Sequence, residues 1–238
     1  MIAPPPPPPA QLAAFLDIHA PWSPAPLCPE LYAFHARSLV AVWEAAELLA
    51  AGVLPAPFWA YPWAAGAAIA RVLLDDPSIV RGLSVLDVGA GGGIASIAAA
   101  YCGAKRVVAN DVDEWALQTT RIAAERQGLS VQTLLGDLTR EVASAEGFDV
   151  VLCGDLLYER SEAEGQRALL RHASSHGATI LAGDAGRTYF LPEGMRLVRE
   201  ISMTVPRDLE GVDTRVARVY EQRHERDLTT ESHNGISR

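Results

Sequence analysis

The 238-residue sequence has a single lysine, three cysteines and no long uncharged apolar run. All other basic residues are arginines, the net charge is −9, and no basic stripe is present, so a nucleic acid is a poor partner. Without an apolar run of membrane-spanning length, we expect no membrane partner. Residues 1–9 lack the basic and apolar regions of a secretion signal, so the cytoplasm is the expected location.

The cysteines Cys28, Cys102 and Cys153 are odd in number and far apart in the sequence. Cys102 and Cys153 fall in apolar segments. These positions favour buried free thiols in a reducing compartment over a disulfide, and we expect no metal site.

The most informative segment is a glycine-rich stretch that follows the short apolar run 84–88. Gly89, Gly91 and Gly93 alternate through it, and a helix-forming run begins at Ile94. Such a turn between a strand and a helix lets a ligand approach the backbone and meet the positive helix N-terminus. The dinucleotide fingerprint fails here, because Ile94 stands where its third glycine or alanine belongs.

Asp87 favours a different ligand for this loop. A carboxylate two residues before Gly89 would face a pyrophosphate badly, but it suits a ligand with an ammonium group. S-adenosylmethionine carries an ammonium, a carboxylate and a ribose. The loop therefore predicts S-adenosylmethionine as the cofactor.

Acidic residues also follow the next three predicted strands. Asp111 ends the second strand, where a carboxylate accepts hydrogen bonds from ribose hydroxyls, although dinucleotide sites use the same position. Asp137 follows the third strand and is a candidate for the adenine amino group or for simple turn chemistry. Asp155 ends the fourth. Ligands of open α/β sheets bind beyond the carboxyl ends of the strands, so we expect these residues and Asp87 to line one crevice.

The alternation of apolar runs and turn signals predicts an α/β fold with a Rossmann-like sheet of seven strands. The sheet should be mostly parallel, with an antiparallel C-terminal hairpin and with helices on both faces. Parallel strands are expected at 84–88, 105–111, 130–135, 148–155 and 179–182, and the hairpin at 196–205 and 214–222.

Three further segments occur in an order that is typical of one enzyme family. They are residues 57–66, which include Trp63, the Asp-x-x-Tyr signature within 154–158, and Gly-Asp-Ala-Gly-Arg at 183–187. With the glycine loop, they make the chain resemble the class I, seven-strand S-adenosylmethionine-dependent methyltransferases. More narrowly, it resembles the family that includes the lysine methyltransferase of the electron-transfer flavoprotein β subunit.

The resemblance implies methyl transfer to a protein lysine, on the electron-transfer flavoprotein β subunit or a similar cytosolic protein. A small-molecule N- or O-methyltransferase and a non-catalytic cofactor-binding module are the alternatives. Asp155 and Tyr158 are the expected catalytic residues. The expected cofactor-binding residues are Trp63, Asp87, Gly89, Gly91, Gly93, Asp111 and Asp137.

Three regions follow from this interpretation. Residues 1–30 are a proline-rich N-terminal extension, 31–222 the methyltransferase domain and 223–238 a polar tail. The consecutive prolines at 4–9 should form a stiff, solvated and dispensable segment. Residues 31–51 are predicted to be one long helix that packs across the crevice as a substrate lid.

Overall fold

The structure is a computed structural model that describes residues 3–155, 160–186, 190, 192 and 194–222. The strands within these residues are β1 (Trp22–Ala25), β2 (Cys28–Phe34), β3 (Ser84–Val88), β4 (Arg106–Asp111), β5 (Gln132–Leu135), β6 (Val150–Gly154), β7 (Thr179–Asp184), β8 (Arg196–Thr204) and β9 (Thr214–Gln222). The helices are α1 (Pro9–His19), α2 (Leu39–Ala50), α3 (Ala64–Asp75), α4 (Ile94–Tyr101), α5 (Glu114–Glu125), α6 (Arg160–Ser175) and α7 (Arg207–Glu210).

A seven-strand sheet in the order β5-β4-β3-β6-β7-β9-β8 forms the centre of the fold. The strands β3 to β7 are parallel, and β9 pairs antiparallel with both β7 and β8. The central strands β3 and β6 are buried almost throughout, as is typical of parallel strands with helices on both faces. The predicted fold class and its antiparallel C-terminal hairpin are confirmed.

The helix α3 packs unusually close to the sheet, and its small residues make this possible. Eight of its residues are buried, and most of these are alanines. A Cβ at Gly154, at the end of β6, would lie 3.1 Å from the backbone nitrogen of Gly66. At Gly183, in β7, a Cβ would lie 2.8 Å from the carbonyl oxygen of Ala65. The first turn of α3 is therefore seated directly on the ends of two strands.

The prediction of one helix over residues 31–51 is wrong. Leu31 and Phe34 belong to β2, which forms a hairpin with β1, and α2 begins only at Leu39, after the cap that Ser38 provides. The side chains of Leu31 and Phe34 are both buried, and the ring of Phe34 lies 4.8 Å from that of Trp22. An i, i+3 apolar spacing favours a helix, so it is the pairing with β1 that decides the conformation. No α2 residue lines the crevice described below.

The prolines at the N-terminus are exposed or half-buried, but they are held against α5, so the prediction of a solvated tail is wrong in part. The indole Nε1 of Trp115 donates a hydrogen bond to the carbonyl of Pro4 (3.0 Å), and Nε2 of Gln118 donates to that of Pro7 (2.6 Å). Prolines donate no backbone hydrogen bond, but their carbonyls accept, and α5 supplies the donors. The helix α1 follows, with Leu12 and Leu16 fully buried.

The three cysteines are free and buried, as predicted. Burial raises the pKa of the Cys28 and Cys153 thiols to about 12, which makes both poor nucleophiles. Among the described residues, no helix has the length and apolar character needed to cross a membrane.

Gly93, which precedes α4, and Gly82, which precedes β3, offer a matched test of packing. Their φ values are nearly the same, +80° and +77°. An alanine Cβ at Gly93 would lie 2.4 Å from Cγ2 of Thr120, whereas at Gly82 it meets nothing within 4 Å. Gly82→Ala should cost about 1–2 kcal/mol of the free energy of unfolding, the penalty for a left-handed residue. Gly93→Ala should cost about 1–3 kcal/mol more because of overpacking.

Urea unfolding of the two variants measures this difference. Equal losses would mean that Thr120 moves aside without cost, and that the close contact does not fix the loop.

Candidate functional site

A cavity of about 790 Å³ opens at the carboxyl ends of the parallel strands. Its size lies within the range of small-molecule sites. It is placed beside β3, where the strand order reverses, as in other open α/β sheets. The predicted residues that line it are Trp63, Asp87, Gly89, Gly91, Gly93, Asp111, Asp137 and Asp155. The structure thus brings together every predicted site residue that it describes.

The glycine loop has a backbone that other residues adopt only with strain. Gly89, Gly91 and Gly93 have φ values of +65°, +54° and +80°. A Cβ at Gly92 would lie 2.6 Å from the carbonyl oxygen of Trp59. The loop is therefore pressed against the segment before α3 and presents bare backbone, with the N-terminus of α4, to the cavity.

Asp87 is a buried carboxylate, and no basic side chain among the described residues interacts with it. Its side chain is 3% exposed and accepts a hydrogen bond of 2.6 Å from Oγ of Ser96. Burial raises the pKa of Asp87 to about 7, although the hydroxyl and backbone N–H of Ser96 lower it in part. A positively charged group in the crevice would stabilise the ionised form.

Asp111 braces the loop from the end of β4. Its Oδ2 accepts a hydrogen bond from the N–H of Gly91 (2.9 Å), and its Oδ1 accepts one from the N–H of Asp113 (3.0 Å). Burial raises the pKa of Asp111. The N–H of Val112 also donates to this carboxylate. A carboxylate has about four acceptor sites, so capacity for a ligand hydroxyl remains.

Asp137 has a clear local role. Its Oδ1 accepts hydrogen bonds from the N–H (3.0 Å) and the hydroxyl (2.5 Å) of Thr139, and its Oδ2 pairs with Arg140 at 2.9 Å. These contacts match the turn chemistry that the sequence left open. Binding of an adenine amino group by Asp137 stays a prediction.

Asp155 directly follows β6 and contacts the first turn of α3. Its φ is +56°, and its Oδ2 accepts a hydrogen bond of 3.1 Å from the N–H of Ala65. A carboxylate at a helix N-terminus is stabilised by the helix dipole. The contact fixes the position of the carboxylate at the crevice wall. Tyr158 and Arg187, which the sequence also singled out, lie outside the described residues.

Trp63 forms an aromatic wall immediately before α3. Its Nε1 donates a hydrogen bond of 2.7 Å to the carbonyl of Phe58. The rings of Tyr61 and Phe58 lie edge-on to it, at 5.5 and 5.8 Å. The indole orientation is therefore set from two sides.

Sequence reasoning missed other residues of the wall. Trp59 supports the glycine loop and stacks on Trp115, with ring centroids 6.0 Å apart. Ala3 and Pro4 also line the crevice, next to Trp115. The aromatic segment 57–63 offered a signal for Trp59. The N-terminal residues offered none, because their place depends on donors in α5.

Residues 73–182 match the model of the family described as ribosomal protein L11 methyltransferase (PrmA). TrmN from Thermus thermophilus is similar in structure, with a TM-score of 0.50 and 25% identity over 65% of this chain and 48% of that one. These matches agree with the strand order and the glycine loop. The chain thus has the fold of class I methyltransferases, and part of it matches a methyltransferase family model.

The sequence is also similar to electron transfer flavoprotein beta subunit lysine methyltransferases. It is 34% identical to the Mus musculus protein over an alignment of 169 residues. This alignment covers 69% of this chain and 64% of the mouse protein. It is 37% identical to the Danio rerio protein over 143 residues, and that alignment covers 60% of this chain and 55% of the zebrafish protein. The chain thus spans between half and two thirds of the length of these relatives.

The raised pKa of Asp87 predicts a pH dependence of stability. Between the unfolded pKa of about 3.9 and the folded pKa of about 7, the folded state binds more protons, so stability falls as the pH rises. Asp87→Asn is neutral throughout and keeps an acceptor for Ser96. The variant should therefore be more stable than the native chain at pH 8, by a few kcal/mol at most.

Urea unfolding at pH 4.5 and pH 8 tests this expectation. The buried Asp111 and Asp113 leave a residual slope of the same sign, since burial raises the pKa of both. Ser96→Ala should steepen the slope because it removes a donor to Asp87. An unchanged slope in Asp87→Asn would assign the pH dependence to other groups.

Proposed function

We propose that the chain is an S-adenosylmethionine-dependent protein-lysine N-methyltransferase that acts on the electron-transfer flavoprotein β subunit or a similar cytosolic protein. The proposal of this cofactor rests on the buried Asp87 carboxylate, which lies beside a bare glycine loop in a crevice of suitable size. The likeness to the mouse and zebrafish lysine methyltransferases supports the acceptor. The free buried cysteines agree with a cytoplasmic location, which is part of the proposal.

The residues present fit this cofactor. Asp87 would hold its ammonium, and Asp111, with unused acceptor capacity, its ribose hydroxyls. The glycine loop lines the crevice with backbone alone, which a ligand can approach closely. Trp63 would close one wall and Asp137 would face the adenine. When bound, S-adenosylmethionine supplies an activated methyl group.

The protein must then deliver a neutral amine to that methyl group. A lysine ammonium has a pKa of about 10.4 and must lose a proton before it attacks. The Asp155 carboxylate at the crevice wall is our candidate to take up this proton, pass it towards solvent and orient the lone pair of the amine. Tyr158 is the second candidate, on sequence alone. The walls around the crevice hold the amine in line and exclude water.

The direct test combines the purified chain, S-adenosylmethionine and recombinant electron-transfer flavoprotein β subunit. Mass spectrometry should find methyl increments on lysines of the flavoprotein subunit. Because the chain has one lysine, Lys105, a Lys105→Arg variant removes self-methylation from the result. A second assay supplies radiolabelled S-adenosylmethionine and a cell lysate. Label that enters only the small molecules of the lysate would favour a small-molecule N- or O-methyltransferase. Binding without any transfer would favour a non-catalytic cofactor-binding module.

Asp111→Ala should weaken S-adenosylmethionine binding by about 1.5–3 kcal/mol, as is typical of hydrogen bonds to a charged group. Calorimetry measures the affinity, and circular dichroism checks that the variant is folded. Asp76→Ala is the control, because the Asp76 side chain likewise accepts a hydrogen bond from the N–H two residues further on but does not line the crevice. Unchanged affinity in a folded Asp111→Ala variant would remove Asp111 from the site.

Asp155→Asn separates a catalytic role from a structural one. Asparagine tolerates the left-handed backbone and still accepts the hydrogen bond from Ala65, but it has no charge. We expect turnover to fall by about 100-fold or more, in line with the loss of a general base, while cofactor affinity is largely kept. Normal turnover in Asp155→Asn, with a loss in Asp155→Ala, would show that the residue only positions α3.

A further inference from the structure

Three potential metal ligands meet at the C-terminal end of α6, outside the crevice. His172 and His176 lie one helical turn apart, and Glu146 comes from the segment before β6. One ligand atom from each lies within 4.8 Å of the others. The Nε2 atoms of His172 and His176 are 2.9 and 3.7 Å from the same oxygen, Oε1 of Glu146. None of the three residues lines the crevice.

The hydrogen bonding of His176 defines its tautomer. Its Nδ1 lies 2.8 Å from the carbonyl oxygen of His172. A carbonyl only accepts, so Nδ1 carries the proton, and in the neutral ring Nε2 presents its lone pair to Glu146. Metal-binding histidines have this arrangement, with the second ring nitrogen donating to a backbone carbonyl.

An ion pair between His172 and Glu146 does not account for the whole cluster. The Glu146 side chain is 46% exposed, so such a pair contributes little to stability. The neutral His176 ring also directs its Nε2 lone pair at the same carboxylate oxygen, and a proton or a metal cation between the two atoms would stabilise this contact. The C-terminal end of a helix favours a cation as well.

We propose that His172, His176 and Glu146 form a binding site for a borderline transition-metal cation of the Zn²⁺ or Ni²⁺ type. Two imidazole nitrogens and one carboxylate oxygen suit such ions rather than Mg²⁺ or Ca²⁺, and water completes the coordination. The ion joins the end of α6 to the segment before β6. Gly165 and Gln166, nearer the start of α6, line the crevice, so the ion stiffens an element of the crevice wall.

Calorimetric titration of the full chain with Zn²⁺, without cofactor or substrate, tests the site. We expect one ion per chain and a rise of the melting temperature on binding. Loss of an outer-shell partner commonly weakens metal binding by about 10–100-fold, so His172→Gln, His176→Gln and Glu146→Gln should each lose at least that much.

Two control variants separate this site from others. Glu164→Gln removes one negative charge from an exposed position of α6 and should bind Zn²⁺ like the native chain. The double variant His224→Gln/His233→Gln removes two histidines from the C-terminal tail and should also leave binding intact. Binding that is absent, or that survives in His172→Gln/His176→Gln, would overturn the site. Because the readout is metal binding alone, either result is independent of the proposed methyl transfer.

Discussion

Backbones meet at the carboxyl edge of the sheet more closely than a side chain would allow. The first turn of α3 sits on the ends of β6 and β7, where Gly154 and Gly183 leave no Cβ to separate them. The glycine loop meets the backbone of Trp59 in the same way. Since these contacts place α3, they also place Trp63 at its start and the Asp155 carboxylate that binds Ala65. The geometry of the crevice wall thus depends on the absence of side chains at these glycines rather than on strong pairwise bonds.

The floor of the crevice adds an electrostatic constraint. Asp87, Asp111 and Asp113 are carboxylates whose pKa values burial raises, that of Asp113 to about 6. Backbone N–H groups satisfy much of their hydrogen-bonding capacity but carry no full charge. Concentrating perturbed carboxylates in one crevice lowers the stability of the free protein and favours a cationic ligand there. This arrangement agrees with a cofactor that bears positive charge.

Much of this architecture was predictable from the sequence, because parallel strands are continuous apolar runs and their ends carry the site. Asp87 and Asp111 could be placed in one crevice because the carboxyl ends of parallel strands share an edge. Residues 31–34 could not be assigned to a strand, since the i, i+3 spacing of Leu31 and Phe34 is that of a helix face. Their strand conformation depends on pairing with β1. Individual contacts, such as that of Asp137 with Arg140, depend on side-chain geometry that a sequence pattern does not contain.

The docked N-terminus has a consequence for the order of folding. Pro4 and its hydrogen-bond donor Trp115 are 111 residues apart in the chain. Closing so long a loop costs entropy that is recovered only when α5 is already in place. The proline segment should therefore dock late, after the central strands have paired. Since this segment is part of the wall, a nearly complete sheet precedes a complete crevice on the folding pathway.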